Sequence, residues 1–154
     1  RQGYHKQIVN RLLEPFTHIK VVLTATEFEN FWWLRDHKDA QPEIAELARV
    51  MREEYNKSEP LELEQGEWHV PYYRHGIWQG EDGGSVDMEG KTLQEAIAIS
   101  ASCCAQVSYR KLDDSLEKAE DIYKRLVESE PVHASPFEHQ ATPIHEPYFR
   151  SDDQ

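Results

Sequence analysis

Between residues 58 and 91 the chain carries Pro60, Pro71, Gly66, Gly76, Gly80, Gly83, Gly84 and Gly90. Glycine lowers helix and strand stability and proline removes a backbone donor, so no long regular element can cross this stretch. It divides two parts that do carry regular patterns. Trp68, Tyr72, Tyr73 and Trp78 stand among the breakers, which predicts an ordered or half-ordered irregular insertion over 58–91. The EDGG run at 81–84 reads as its mobile tip.

Before the insertion, Ile8, Val9, Leu12 and Leu13 share one helical face, and Pro15 stops that helix. The β-branched stretch THIKVVLTAT (17–26) predicts a strand. Thr24 with Glu27, or Thr26 with Glu29, offers a capping box for a helix over 27–37 with Phe28, Phe31, Trp32 and Leu34 as its apolar body. A further helix over 41–58 recurs at Ile44, Leu47, Ala48 and Met51, with Pro42 suited to its first turn. After the insertion, Thr92 and Glu95 cap a helix over 92–110 with a small-residue stripe. Asp114 and Glu117 cap another over 114–130, whose Leu116, Ala119, Ile122, Tyr123 and Leu126 face a core. HASPFEHQATP predicts a loop followed by a short strand, and 144–154 a loose tail. The expectation is a single, partial domain over 1–154. Its class is α+β, helix-rich, with a small mixed or antiparallel sheet. The chain begins with Arg1 rather than Met, which points to missing upstream residues.

Length and aromatic content support a packed domain: 154 residues with 4 Trp, 7 Tyr and 5 Phe are enough to bury a core. The formal net charge of -12 repels phosphates and anionic lipid, so neither nucleic acid nor a membrane surface is expected as a partner. No apolar run approaches the ~20 residues of a membrane span, and no signal peptide is read. Two adjacent cysteines suit a reducing compartment, and the expected location is cytoplasmic.

Eight histidines are present without HExxH or CxxC spacing, and His133, His139 and His145 lie six apart. No metal is expected from that spacing. Cys103 and Cys104 point apart on a helix; one reads as a small buried residue and the other as exposed, with no base in view to activate a nucleophile. Neither a glycine-rich phosphate loop nor a GxSxG elbow occurs. In so acidic a chain the arginines stand out. Arg11 lies late in the first helix, and Arg35 follows the aromatic run. The ordinary reading of Arg35 is a helix-end cation paired with the dipole, Asp36 or Asp39.

Four segments together resemble the flavin-dependent thymidylate synthases. Arg11 precedes Pro15 by four residues. Asn30, Phe31, Leu34, Arg35, Ala40, Gln41, Glu43 and Ile44 match the family's NF-x-x-LR-x4-AQ-x-EI block. Ala105 to Tyr109 resembles its ARVS-aromatic piece, and His133 to His139 its H-x-[ST]-PFEH piece. The order is rotated relative to the common bacterial form and is similar to phage-borne variants. The family's Arg-His-Arg flavin and nucleotide loop is absent and, in this order, would precede residue 1. Gln106 stands where the family has Arg, and Thr24 to Thr26 where it often has Asn-Ala-Arg.

The resemblance implies the thymidylate synthase-complementing type of fold and methylation of dUMP to dTMP. Methylenetetrahydrofolate would give the carbon, and FAD reduced by NADPH the hydride. It implies that Arg35 contacts the uracil and favours its ionisation, that Arg11 grips dUMP, and that Asn30, His133, Ser135 and Thr24 contact FAD. It also implies a homotetramer with shared sites, in a bacterial or phage-infected cell. The alternative is a non-catalytic remnant or helical interaction module that keeps the fold without the flavin loop. A histidine-using hydrolase or metal protein ranks last.

Overall fold

The computed structural model describes residues 5–12, 14–108 and 111–144. The chain is a helix-rich α+β protein with a small antiparallel sheet among the described residues. Its helices are α1 (Lys6–Arg11), α2 (Glu29–Arg35), α3 (Pro42–Lys57), α4 (Leu93–Ala105) and α5 (Leu116–Val127). The sheet pairs β1 (Trp68–His69) with β2 (Ile77–Trp78), Trp68 opposite Trp78 and His69 opposite Ile77.

Helix starts follow local chemistry more closely after the insertion than before it. At α4 the Thr92 hydroxyl accepts from the Glu95 N–H while the Glu95 carboxylate accepts from the Thr92 N–H, the expected capping box. At α5 the cap is Ser115, which accepts from the Lys118 N–H, one residue later than the expected Asp114. Asp113 is occupied in accepting from the Ser115 N–H. Neither box expected for α2 forms: Phe28 occupies the cap position, and Glu29 turns back to accept from its N–H. Pro42 opens α3 as expected.

The expected strand over 17–26 is not one. The segment pairs with no strand, and Ile19 and Val21 are 77% and 70% exposed. β-branched residues favour a pleated, half-buried surface, and without a partner strand among the described residues that preference has nothing to act on. The tail beyond Ile144, with Leu13 and Tyr109, lies outside the described residues.

The core forms where the breakers are densest. Val70, Tyr73 and Trp78 from the 58–91 stretch pack with Ala96, Ile99 and Cys103 of α4 and Ala119 of α5. The breakers make this possible by tight turning. Tyr73 N–H donates to the Val70 carbonyl, and Gly76 N–H to that of Tyr73, which brings two aromatic rings inward within a few residues. A Cβ at Gly80 would strike the Gly84 carbonyl oxygen, so the EDGG turn closes only with glycine there. A smaller cluster holds α2 to α3: Phe28, Trp32 and Tyr55 stack around one another, with Ala48 fully buried.

Candidate functional site

The C-terminal motif is built on a short 3-10 turn, Ser135–Phe137. Pro136 is buried, and Phe137 meets Tyr123 of α5 edge-on at 5.4 Å. Just beyond, Gln140 donates through Nε2 to Ser100 Oγ of α4 at 2.9 Å and to the Pro136 carbonyl at 3.3 Å. Ser100 Oγ in turn donates to the Pro71 carbonyl at 2.7 Å. His139 is therefore held between two anchored neighbours.

His139 Nδ1 lies 2.9 Å from Thr24 Oγ1, a hydrogen bond across 115 residues of chain. In one tautomer the Thr24 hydroxyl donates to Nδ1, which places the ring proton on Nε2; in the other, Nδ1–H donates to the hydroxyl oxygen. Either way, two segments singled out separately in the sequence are brought together. The 17–26 segment, unpaired along its backbone, is tied here by a side chain.

The remaining predicted residues are accessible but not gathered. Asn30 is exposed in the first turn of α2 and Arg35 in its last. Asp36 pairs with Arg52 of α3 at 3.0 Å, and Asp39 lies 3.7 Å from His37. Neither carboxylate takes Arg35, so the expected helix-end ion pair is not made. Arg35 and Arg11 form no salt bridge among the described residues. His133 donates its backbone N–H to the Leu126 carbonyl at 3.0 Å, which pins the start of the motif to the end of α5 and leaves the imidazole exposed. Ser135 is exposed as well. No hydrogen bond joins Arg11, Arg35, Asn30, His133 and Ser135 to one another among the described residues.

Thr24, Asn30, His133 and Ser135 offer hydroxyl, amide and imidazole groups. These suit the neutral polar edge of an isoalloxazine or a ribityl chain. They bring no fixed positive charge, so they do not suit the diphosphate of FAD. By their chemistry, these four side chains suit one end of that cofactor only.

Gln106, at the position where the resembled family has Arg, has a structural task. It is 2% exposed. Its Nε2 donates to Ser102 Oγ at 3.0 Å and to the Asp113 carbonyl at 2.9 Å, and its Oε1 accepts from the Asp113 N–H at 3.3 Å. It stitches the end of α4 to the approach to α5. Cys103 and Cys104 are both buried, contrary to the expectation that one is exposed. Burial pushes the Cys103 thiol up to about 12, helped by the nearby charge of Asp114. Burial pushes Cys104 up to about 11 against a lowering hydrogen bond with Ser100. Both stay protonated near neutrality, which removes them as nucleophiles.

Sequence reasoning missed a buried polar cluster inside the insertion. Tyr73 Oη donates to Asp87 Oδ2 at 2.5 Å, and Arg74 Nη1 lies 3.5 Å from the same oxygen. Asp87 Oδ1 accepts from the N–H groups of Glu89 and Lys91, each at 3.0 Å. Burial raises the Asp87 carboxyl, but Tyr73, the two N–H groups and Arg74 together outweigh it and hold it below its ordinary range. Burial, then the bond to Asp87, pushes the Tyr73 phenol up. The sequence signal was an aspartate three residues before Gly90, the pattern of an Asx turn.

A cavity of about 930 Å³ runs between α4 and α5, and none of the residues predicted for dUMP or FAD lines it. Among the described residues no three His, Cys, Asp or Glu side chains are placed to hold a metal, and no helix is long and apolar enough to cross a membrane. No protein-family model matches the chain, and no curated protein or solved structure is significantly similar to it.

Proposed function

We propose that this chain is a flavin-dependent thymidylate synthase, or a part of one, that methylates dUMP to dTMP with methylenetetrahydrofolate as carbon donor. The observation that carries the reading is the Thr24–His139 hydrogen bond. It brings Thr24, a residue to which the resemblance assigns FAD contact, to His139 of the H-x-[ST]-PFEH piece across 115 residues of chain. Arg35 supports it further: an exposed guanidinium with no carboxylate partner among the described residues is available to an anionic ligand.

Arg35 acts on the pyrimidine. Its fixed positive charge stabilises the uracil ring ionised at N3, and the electron density gained by the ring makes C5 the nucleophile. No protein nucleophile is needed, in keeping with two buried, protonated thiols. Arg11 grips the phosphate or a uracil oxygen through its fork of donors. Thr24, Asn30, His133 and Ser135 orient the neutral part of FAD, which when bound and reduced by NADPH supplies the hydride. The cations for its diphosphate come from outside the described residues, in a homotetramer with shared sites.

The test is a flavin absorbance spectrum and a dUMP titration of the purified chain with FAD added, followed by turnover with methylenetetrahydrofolate and NADPH. Arg35→Ala is expected to reduce turnover at least ~1,000-fold with an unchanged unfolding curve. Equal loss of stability and activity would make Arg35 structural. Arg11→Ala is expected to weaken dUMP binding. Absence of flavin binding with dUMP present would leave the second reading, a non-catalytic helical interaction module. The burial of Gln106 at the family's arginine position favours that reading.

A further inference from the structure

The cavity between α4 and α5 has an apolar floor and an acidic rim. Ile97 of α4 and Leu116 and Tyr123 of α5 form the floor, and Tyr123 is 44% exposed there although Phe137 fixes its ring from the side. Glu117, Glu120 and Glu128 stand on the rim and have no ion-pair partner among the described residues. The other two carboxylates of the lining are already engaged: Glu95 caps α4, and Asp121 pairs with Arg125 at 2.9 Å. Lys124 is the one basic side chain among the described lining residues.

Two packed helices of 13 and 12 residues leave a trough ~18 Å long, enough for about three turns of a third helix. Such a helix is held by apolar side chains repeating at i, i+3, i+4 and i+7, with its flanks meeting the rim. The flanks must be basic here, because an acidic flank would add like charge to three unpaired glutamates. We propose that the α4–α5 groove is a docking site for a cationic amphipathic helix of a partner protein. Leu- or Met-type side chains would enter against Ile97, Leu116 and Tyr123, and Lys or Arg would face Glu117, Glu120 and Glu128. The site shares no residue with the synthase reading and does not depend on it.

The test uses the full chain and a fluorescein-labelled 14-residue helix of leucine and lysine patterned at those positions, with its leucine–glutamate counterpart as control. The lysine peptide is expected to bind saturably, with affinity falling as salt rises, and the glutamate peptide not to bind. The paired change Glu117→Lys and Glu120→Lys is expected to raise Kd at least ~10-fold, as is Tyr123→Ala through loss of the anchor. The pair Glu59→Lys and Glu62→Lys, exposed and outside the groove, makes the same change in net charge. It is expected to leave Kd within about twofold, since distant exposed charges are screened. Equal weakening by both pairs would mean general attraction to an acidic protein and would overturn the proposal. So would unchanged binding in the groove variants. Self-association of the chain that the groove variants abolish would assign the groove to a second copy and overturn it equally.

Discussion

The part of the chain from 68 to 141 encloses more of its apolar residues than the part from 5 to 57, although Met88 and Val132 stay exposed in the former. In the first, two short strands, α4 and α5 enclose Val70, Tyr73, Trp78, Ile99 and Cys103, and buried polar groups such as Gln106 and Asp87 have partners. In the second, Trp32 and Ala48 are buried between α2 and α3, while Phe16, Ile19, Val21 and Trp33 stay 70% exposed or more. Isolated exposed apolar residues are ordinary; several along one region mark a surface that meets something else. Arg11, Thr24, Asn30 and Arg35 all lie in that second region. Most of the buried core is thus carried by the first part, while the proposed ligand contacts come from both, since His133 and Ser135 lie in the first, and the two parts are joined at Thr24 and His139.

The contrast is sharpest at Asp87. Replacing it with Ala strands the Tyr73 hydroxyl in a buried place, leaves two part-buried N–H groups without their acceptor and frees Arg74 of its inner partner. The expected loss is about 3 kcal/mol, seen as a fall in Tm of roughly 10 °C for a chain this size. Because the folded carboxyl sits below its ordinary range, its contribution is full above about pH 4 and is lost as pH falls through the folded value. The parent should therefore lose stability in acid more steeply than Asp87→Ala when unfolding is followed below that pH. Gln106→Arg, which installs the residue found there in the family the chain resembles, should come next, costing about 2 kcal/mol because a guanidinium enters a site built for an amide. A gain in flavin affinity without loss of Tm would show that the position faces a ligand after all.

What could be read from the sequence follows from how local each signal is. The capping box at Thr92 and Glu95 depends on residues three apart, and it formed as read. The helices at 42–57 and 93–105 were legible from periodicity and Pro42. The strand over 17–26 failed because strand pairing depends on a partner far away, which no local pattern reports. The core role of 58–91 was hidden for a related reason. Its glycines and prolines announce turns, but only the folded turns reveal that Val70, Tyr73 and Trp78 are brought inward together. For the candidate site, Thr24 and the HASPFEHQATP segment were singled out separately, but the hydrogen bond that joins Thr24 to His139 was not read from the sequence, because it spans 115 residues. Gln106 was visible as a departure from the motif, but its hydrogen bonds to Ser102 and Asp113 were not, because they depend on how α4 ends.

The thiols test the enclosed part more gently. Cys103 and Cys104 should resist a disulfide-exchange reagent near pH 8 in the folded chain and react fully once it is unfolded. Their raised values place the stability they contribute below the free-thiol range near pH 8.5, to be lost as pH rises through about 11 and 12. Rapid labelling of either in the folded state would mean that α4 opens locally and that the enclosed region is less uniform than its packing indicates.

The smallest effect belongs to the exposed part. Trp33 is 74% exposed although it adjoins buried Trp32 on α2. Trp33→Gln removes little contact within the chain, and helix propensity differs only slightly between the two residues. Urea unfolding of dilute protein should place the variant within about 0.5 kcal/mol of the parent, against several times that for Asp87→Ala. A loss of 2 kcal/mol or more would mean that the indole is covered in the folded protein in solution. If that loss appeared only at high protein concentration, the covering surface would be another molecule, because stabilisation by binding rises with the logarithm of the concentration of what binds. The same size of loss at every concentration would instead place the cover within the chain itself, and the division between an enclosed and an outward-facing part would have to be redrawn at α2.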